Sequence, residues 1–117
     1  MTINVLAVMG TRPEAVKMAP VVRTLRADSA FGVTVALTAQ HREMLDQVLR
    51  QFEIQGDVDL DIMRPGQTLG QITIRALEGL ERVIADVKPD IVLAQGDTTT
   101  VFAAALAAFY AKVPFRS

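Results

Sequence analysis

The segment Ile3 to Met9 is apolar, rich in β-branched residues, almost without polar alternation, and ends at Gly10. A strand with one solvated face alternates apolar and polar residues, whereas an unbroken apolar run suits a strand covered on both faces, as in a parallel sheet. After the turn Gly10-Thr11-Arg12-Pro13, the apolar positions Met18, Val21, Val22 and Leu25 recur at helical spacing. Pro20 lies inside that stripe, where a regular helix would lose about 3 kcal/mol. Either the helix restarts at Pro20 or it kinks there.

The same unit then repeats. Val33 to Leu37 reads as a second strand, and Met44, Leu45, Val48, Leu49 and Phe52 mark a second helix. Asp57 to Met63 alternates acidic and apolar residues, which suits an exposed edge strand or an extended segment. Thr68-Leu69-Gly70-Gln71 has capping-box spacing. The long helix it opens is expected to bury Leu69, Ile72, Ala76, Leu80, Val83, Ile84 and Val87, and to stop before Lys88-Pro89. Ile91 to Ala94 is a further buried strand. A last helix, capped by Thr98 or Thr99, runs to about Ala111, and its apolar circumference predicts cover on more than one side. Val113 to Phe115 begins another strand. Alternating strands and helices predict an α/β fold, a Rossmann-like open parallel sheet with helices on both faces.

Composition narrows the chemistry. The chain has 117 residues, enough for one domain but not two, and 50% of them are hydrophobic, which excludes disorder. Its 12 basic and 13 acidic residues are dispersed, so nucleic acid is not expected as a partner. Without cysteine, disulfides, Cys-based zinc sites and thiol nucleophiles are excluded, and the one histidine, His41, cannot build a His-rich metal cage. The N-terminus lacks the basic and cleavage regions of a secretory signal. The longest apolar run, Val101 to Ala111, is about half the ~20 residues that a membrane span requires. A soluble, cytoplasmic protein with no membrane partner is expected.

Ligands of open parallel sheets bind at the carboxyl ends of strands. Three turns there carry polar residues. In Gly10-Thr11-Arg12-Pro13-Glu14, followed by Lys17, the two cations stand beside a helix N-terminus and suit an anion; alternatively they pair with Glu14 or nearby carboxylates on a solvated face. Neither the G-x-G-x-x-G fingerprint nor a P-loop is present. In Gln95-Gly96-Asp97-Thr98, Asp97 is either a helix cap or a carboxylate that takes a proton from a substrate anchored by its phosphates. In Thr38-Ala39-Gln40-His41-Arg42, His41 is a ligand contact or a cap. Asp59 and Asp61 are expected to face water.

Four segments in order, G-T-R-P-E-A-V-K-M-A-P (Gly10 to Pro20), T-A-Q-H-R-E-M-L-D-Q-V-L (Thr38 to Leu49), D-I-M-x-P-G-Q (Asp61 to Gln67) and Q-G-D-T-T-T (Gln95 to Thr100), resemble the bacterial non-hydrolysing UDP-N-acetylglucosamine 2-epimerases. The resemblance implies the N-terminal half of a two-domain fold like that of the GT-B glycosyltransferases. It implies interconversion of UDP-N-acetylglucosamine and UDP-N-acetylmannosamine, a precursor of surface polysaccharides, through a 2-acetamidoglucal intermediate, with no nicotinamide and no metal. By motif position Arg12 and Lys17 match basic residues near the diphosphate, and Asp97 an acidic residue of proton transfer. Gln40, His41 and Gln67 match the lining of a second, allosteric UDP-N-acetylglucosamine site, although Glu43 and Gly66 depart from the regulated members.

After Val113-Pro114 the family continues through G-H-V-E-A-G-L-R-T, with a further glutamate, into a nucleotide-binding C-terminal domain, where this sequence reads Phe115-Arg116-Ser117. Residues 1–117 are therefore expected to be a truncated N-terminal domain, inactive alone. The acceptor domain of a GT-B glycosyltransferase and a stand-alone binding domain are the alternatives. An interrupted strand and an apolar last helix leave surface for dimerisation or domain swapping, so a homodimer is the expected assembly.

Overall fold

A computed structural model of the chain describes residues 2–38, 42–96 and 98–117, with the Arg42 side chain excepted. The elements are β1 (Ile3–Met9), α1 (Arg12–Arg26), β2 (Phe31–Leu37), α2 (Arg42–Gln51), β3 (Val58–Asp59), α3 (Leu69–Val87), β4 (Ile91–Ala94), α4 (Thr99–Tyr110) and β5 (Phe115–Arg116). The strands form one parallel sheet in the order β3-β2-β1-β4-β5. The unalternating run of β1 lies in the middle, with Ala7 between Val35 and Leu93, and Val5 to Met9 are buried.

Successive β1 side chains feed opposite layers. Leu6 and Val8 pack with Ile72, Ala76, Leu80 and Ile84 of α3 and with Ala103, Ala104, Ala107 and Ala108 of α4. Ala7 and Met9 pack with Ala15, Met18, Ala19 and Val22 of α1 and Leu45, Val48 and Leu49 of α2. Each fully buried Leu or Val contributes about 1.5–3 kcal/mol. The fold is the expected doubly wound sheet. From β1 the chain winds outward to β2 and β3, then crosses to β4 and β5 on the other side. The winding reverses between β1 and β4, so their carboxyl ends flank the crevice where such sheets bind ligands.

Helix α1 is one continuous helix through Pro20 and does not restart there. Pro20 and Val16, whose carbonyl loses its N–H partner, both lie on the exposed side of the helix. The capping box of α3 forms as its sequence predicts: Gln71 N–H donates to Thr68 Oγ1 (3.1 Å), and Thr68 N–H to Gln71 Oε1 (2.8 Å). The helix ends at Val87, with Lys88 in the left-handed conformation (φ 52°).

Two expectations about burial fail. Leu69 is 73% exposed, because it belongs to an exposed first turn and the contact with the sheet begins at Ile72. Helix α4 buries one face, through Thr100, Val101, Ala103, Ala104, Ala107 and Ala108, while Phe102, Phe109 and Tyr110 remain exposed. Its alanines seat it closely on α3 and the sheet, and the bulky residues fall on the other side.

Candidate active site

The carboxyl end of β1 runs through Gly10 and Thr11 into α1, and that of β4 through Gln95 and Gly96 towards α4. Glu14, in the first turn of α1, joins the two. Its side chain is buried, with 3% exposure for the residue. Oε1 accepts from the backbone N–H of Gly10 (2.7 Å) and of Thr11 (3.0 Å), while Oε2 accepts from the hydroxyl of Thr98. The carboxylate therefore gains three donors in place of water, which a buried charged group requires.

This arrangement alters the reading of the first turn. Two backbone N–H groups that an anion could have used are occupied by Glu14, and Pro13 has none. Attraction for an anion at this helix end thus draws on the side chains of Arg12 and Lys17 and on the helix dipole more than on the N–H groups of the turn. Both residues are exposed. Among the described residues neither forms an ion pair with Glu14, whose oxygens are already engaged, so pairing with Glu14 is not what holds them.

Thr98 occupies the N-cap position of α4 but makes no side-chain cap bond. Its hydroxyl goes to Glu14 instead. Gly96, two residues earlier, has φ +113°, a conformation that side chains rarely adopt. A Cβ there would be 3.7 Å from Glu14 Cγ. The hydrogen bond from Thr98 to Glu14 thus joins the start of α4 to the first turn of α1. Beneath them Thr38, at the end of β2, shares a hydrogen bond of 3.0 Å with Thr100 in the first turn of α4, both fully buried.

A surface hollow of about 360 Å³ opens at this end of the sheet, lined by Thr11, Arg12, Pro13, Met44 and Thr98. Arg12 is thus brought beside Thr98, while Lys17 lies further along α1 and does not line the hollow. Gln67 is not in the lining either. It lies in the loop before α3, half-buried, with Oε1 accepting from Arg64 N–H (2.7 Å) and Nε2 buried without a hydrogen-bond partner among the described residues. Asp97, Gln40 and His41 lie outside the described residues. Asp59 and Asp61 are exposed, as expected. A larger groove of about 410 Å³ between the β3 segment and α3 is lined mainly by charged side chains, including Asp61, Arg64, Arg75 and Glu78.

Sequence reasoning did not anticipate Glu14 and Thr98 as a pair. The capping-box spacing Thr11 to Glu14 was a signal for the first half of the arrangement, since N3 acids reach back to the N-cap N–H. Nothing local indicates a partner 84 residues away.

Comparison with known proteins agrees with this architecture. The chain is 63% identical over 111 residues to a UDP-N-acetylglucosamine 2-epimerase of Yersinia pestis, covering 95% of this chain and 30% of that protein. Its structure superposes on the Neisseria meningitidis UDP-GlcNAc 2-epimerase crystallised with UDP-GlcNAc, with a TM-score of 0.91 and 57% identity over 97% of this chain and 31% of the other. The Methanocaldococcus jannaschii enzyme, crystallised with UDP-GlcNAc and UDP, gives a TM-score of 0.89 at 30% identity, covering 97% and 31%. The chain spans about 30% of the length of these relatives and corresponds to their N-terminal part. The UDP-N-acetylglucosamine 2-epimerase family model matches residues 23–116. On the sheet, on the motifs at its strand ends and on this match, the chain belongs to the UDP-N-acetylglucosamine 2-epimerase family.

Proposed function

We propose that these residues supply one wall of an active site that interconverts UDP-N-acetylglucosamine and UDP-N-acetylmannosamine, the other wall coming from a second domain. The observation that carries this reading is the meeting of the Gly10–Glu14 and Gly96–Thr98 turns at the switch point, with Arg12 beside Thr98, in a chain whose relatives are crystallised with UDP-GlcNAc.

In this mechanism the bond between C1 and the UDP oxygen breaks with its electrons leaving on UDP. The C2 proton departs to a protein base, and a C1=C2 double bond forms in 2-acetamidoglucal. UDP then adds back to C1 while a proton returns to the opposite face of C2. Arg12 and Lys17 hold the diphosphate and stabilise the charge that develops on leaving UDP. Asp97 takes part in proton transfer. Gln40, His41 and Gln67 contribute to a second, regulatory UDP-N-acetylglucosamine site. The reading includes a cytoplasmic homodimer. A polypeptide limited to these 117 residues does not turn over substrate, because it carries one wall of the cleft.

The decisive substitution is Asp97→Asn in a full-length protein. It is expected to lower kcat by about 10²–10⁴-fold with folding intact by circular dichroism. Turnover near the wild-type rate would remove Asp97 from proton transfer.

A further inference from the structure

We propose that Glu14 is a positioning residue, which ties the start of α4 at Thr98 to the turn containing Arg12 through the hydroxyl of Thr98. This rests on the epimerase reading above. The geometry is two-sided: one carboxylate oxygen holds Gly10 N–H and Thr11 N–H of the β1 turn, and the other holds Thr98 of the β4 turn. A Cβ added at Gly96 would lie 3.7 Å from Glu14 Cγ. Thr98, which follows Asp97 in the chain, therefore bonds to this one buried side chain, and the residue after Thr11, which the same side chain anchors, is Arg12.

The other functions open to Thr98 are weaker accounts of its hydroxyl. As the N-cap of α4 its oxygen would be expected to accept from the helix backbone, yet it makes no such bond, and the bond its side chain does make is the one donated to Glu14. A cap bond would steady α4 alone. The bond to Glu14 ties two loops from opposite sides of the switch point, and small displacements of reacting groups cost rate far more than they cost binding.

The test uses a full-length epimerase carrying this segment, with UDP-N-acetylglucosamine as substrate. Thr98→Val removes the hydroxyl at nearly constant volume and is expected to lower kcat about tenfold or more, with KM changed by no more than about twofold. Thr98→Ser restores the donor and the rate. Glu14→Gln keeps an acceptor for the two N–H groups, loses the charged acceptor for Thr98 and lowers kcat similarly. The double variant is no slower than Glu14→Gln alone, since both changes break one clamp.

A Thr98→Val enzyme with wild-type kcat overturns the proposal, as does a Thr98→Ser enzyme as slow as Thr98→Val. Multiplicative losses in the double variant, or a fall in kcat matched by loss of folded protein on thermal melting, also overturn it. A wild-type protein without epimerase turnover overturns the epimerase reading together with the clamp. Wild-type turnover with unaffected variants overturns the clamp alone.

Discussion

At the residue scale, the site depends on where polar groups of the strand-end turns find partners. Truncating Glu14 would leave Gly10 N–H and Thr11 N–H without their acceptor, a loss of about 1–3 kcal/mol for each buried donor that water does not reach. Gly96 is the complementary case, in which the backbone is the constraint. A side chain there meets nothing closer than 3.7 Å, so space is available, but φ of +113° disfavours any Cβ. Gly96→Ala is therefore expected to destabilise the fold by about 1–3 kcal/mol, measured as a lower urea midpoint with unchanged m-value. An unchanged midpoint would mean that the turn relaxes to another conformation. The break after β4 was legible in Gln95-Gly96. Glu14 was not legible as its support, because a charged residue beside Arg12 and Lys17 reads as a surface ion pair until its burial is known.

At the element scale, short-range signals were reliable and packing outcomes less so. The capping box starts α3 where the Thr68 to Gln71 spacing places it, since both bonds lie within one turn of chain. Leu69 fits the helical stripe and is nevertheless exposed, because periodicity gives direction around a helix and not how far the neighbouring sheet extends. A non-local clasp joins α1 to the β3 edge: Arg26 pairs with Asp57 Oδ2 at 2.7 Å, and the same oxygen accepts Val35 N–H at 2.7 Å. The ion pair is partly solvated and contributes roughly 0–1 kcal/mol, whereas the N–H bond completes the sheet edge. Asp57→Ala should therefore cost about 1–2 kcal/mol in chemical denaturation, more than Arg26→Gln. Equal losses would show that the ion pair carries the clasp.

At the scale of the whole molecule, the exposed face of α4 is the feature with the largest consequence. Phe102, Phe109 and Tyr110 present aromatic area to solvent, with Phe109 and Tyr110 6.2 Å apart between ring centroids. Exposed apolar patches of this kind favour association. Sedimentation velocity of the 117-residue polypeptide is expected to report a dimer that Phe109→Glu shifts towards monomer. A monomeric wild type at tens of micromolar, or a variant that associates equally, would count against the homodimer. No helix among the described residues is long and apolar enough to cross a membrane.

The sequence by itself determined the sheet, the order of its elements and the strand ends where ligands gather, because those follow from local periodicity and from turn chemistry within a few residues. It also identified the family, through four motifs in one order. Only the tertiary structure decided which turn touches which. The hydrogen bond from Thr98 to Glu14 spans 84 residues. It forms because β1 and β4, distant in the chain, are neighbours in the sheet and bring a buried carboxylate beside the hydroxyl of Thr98.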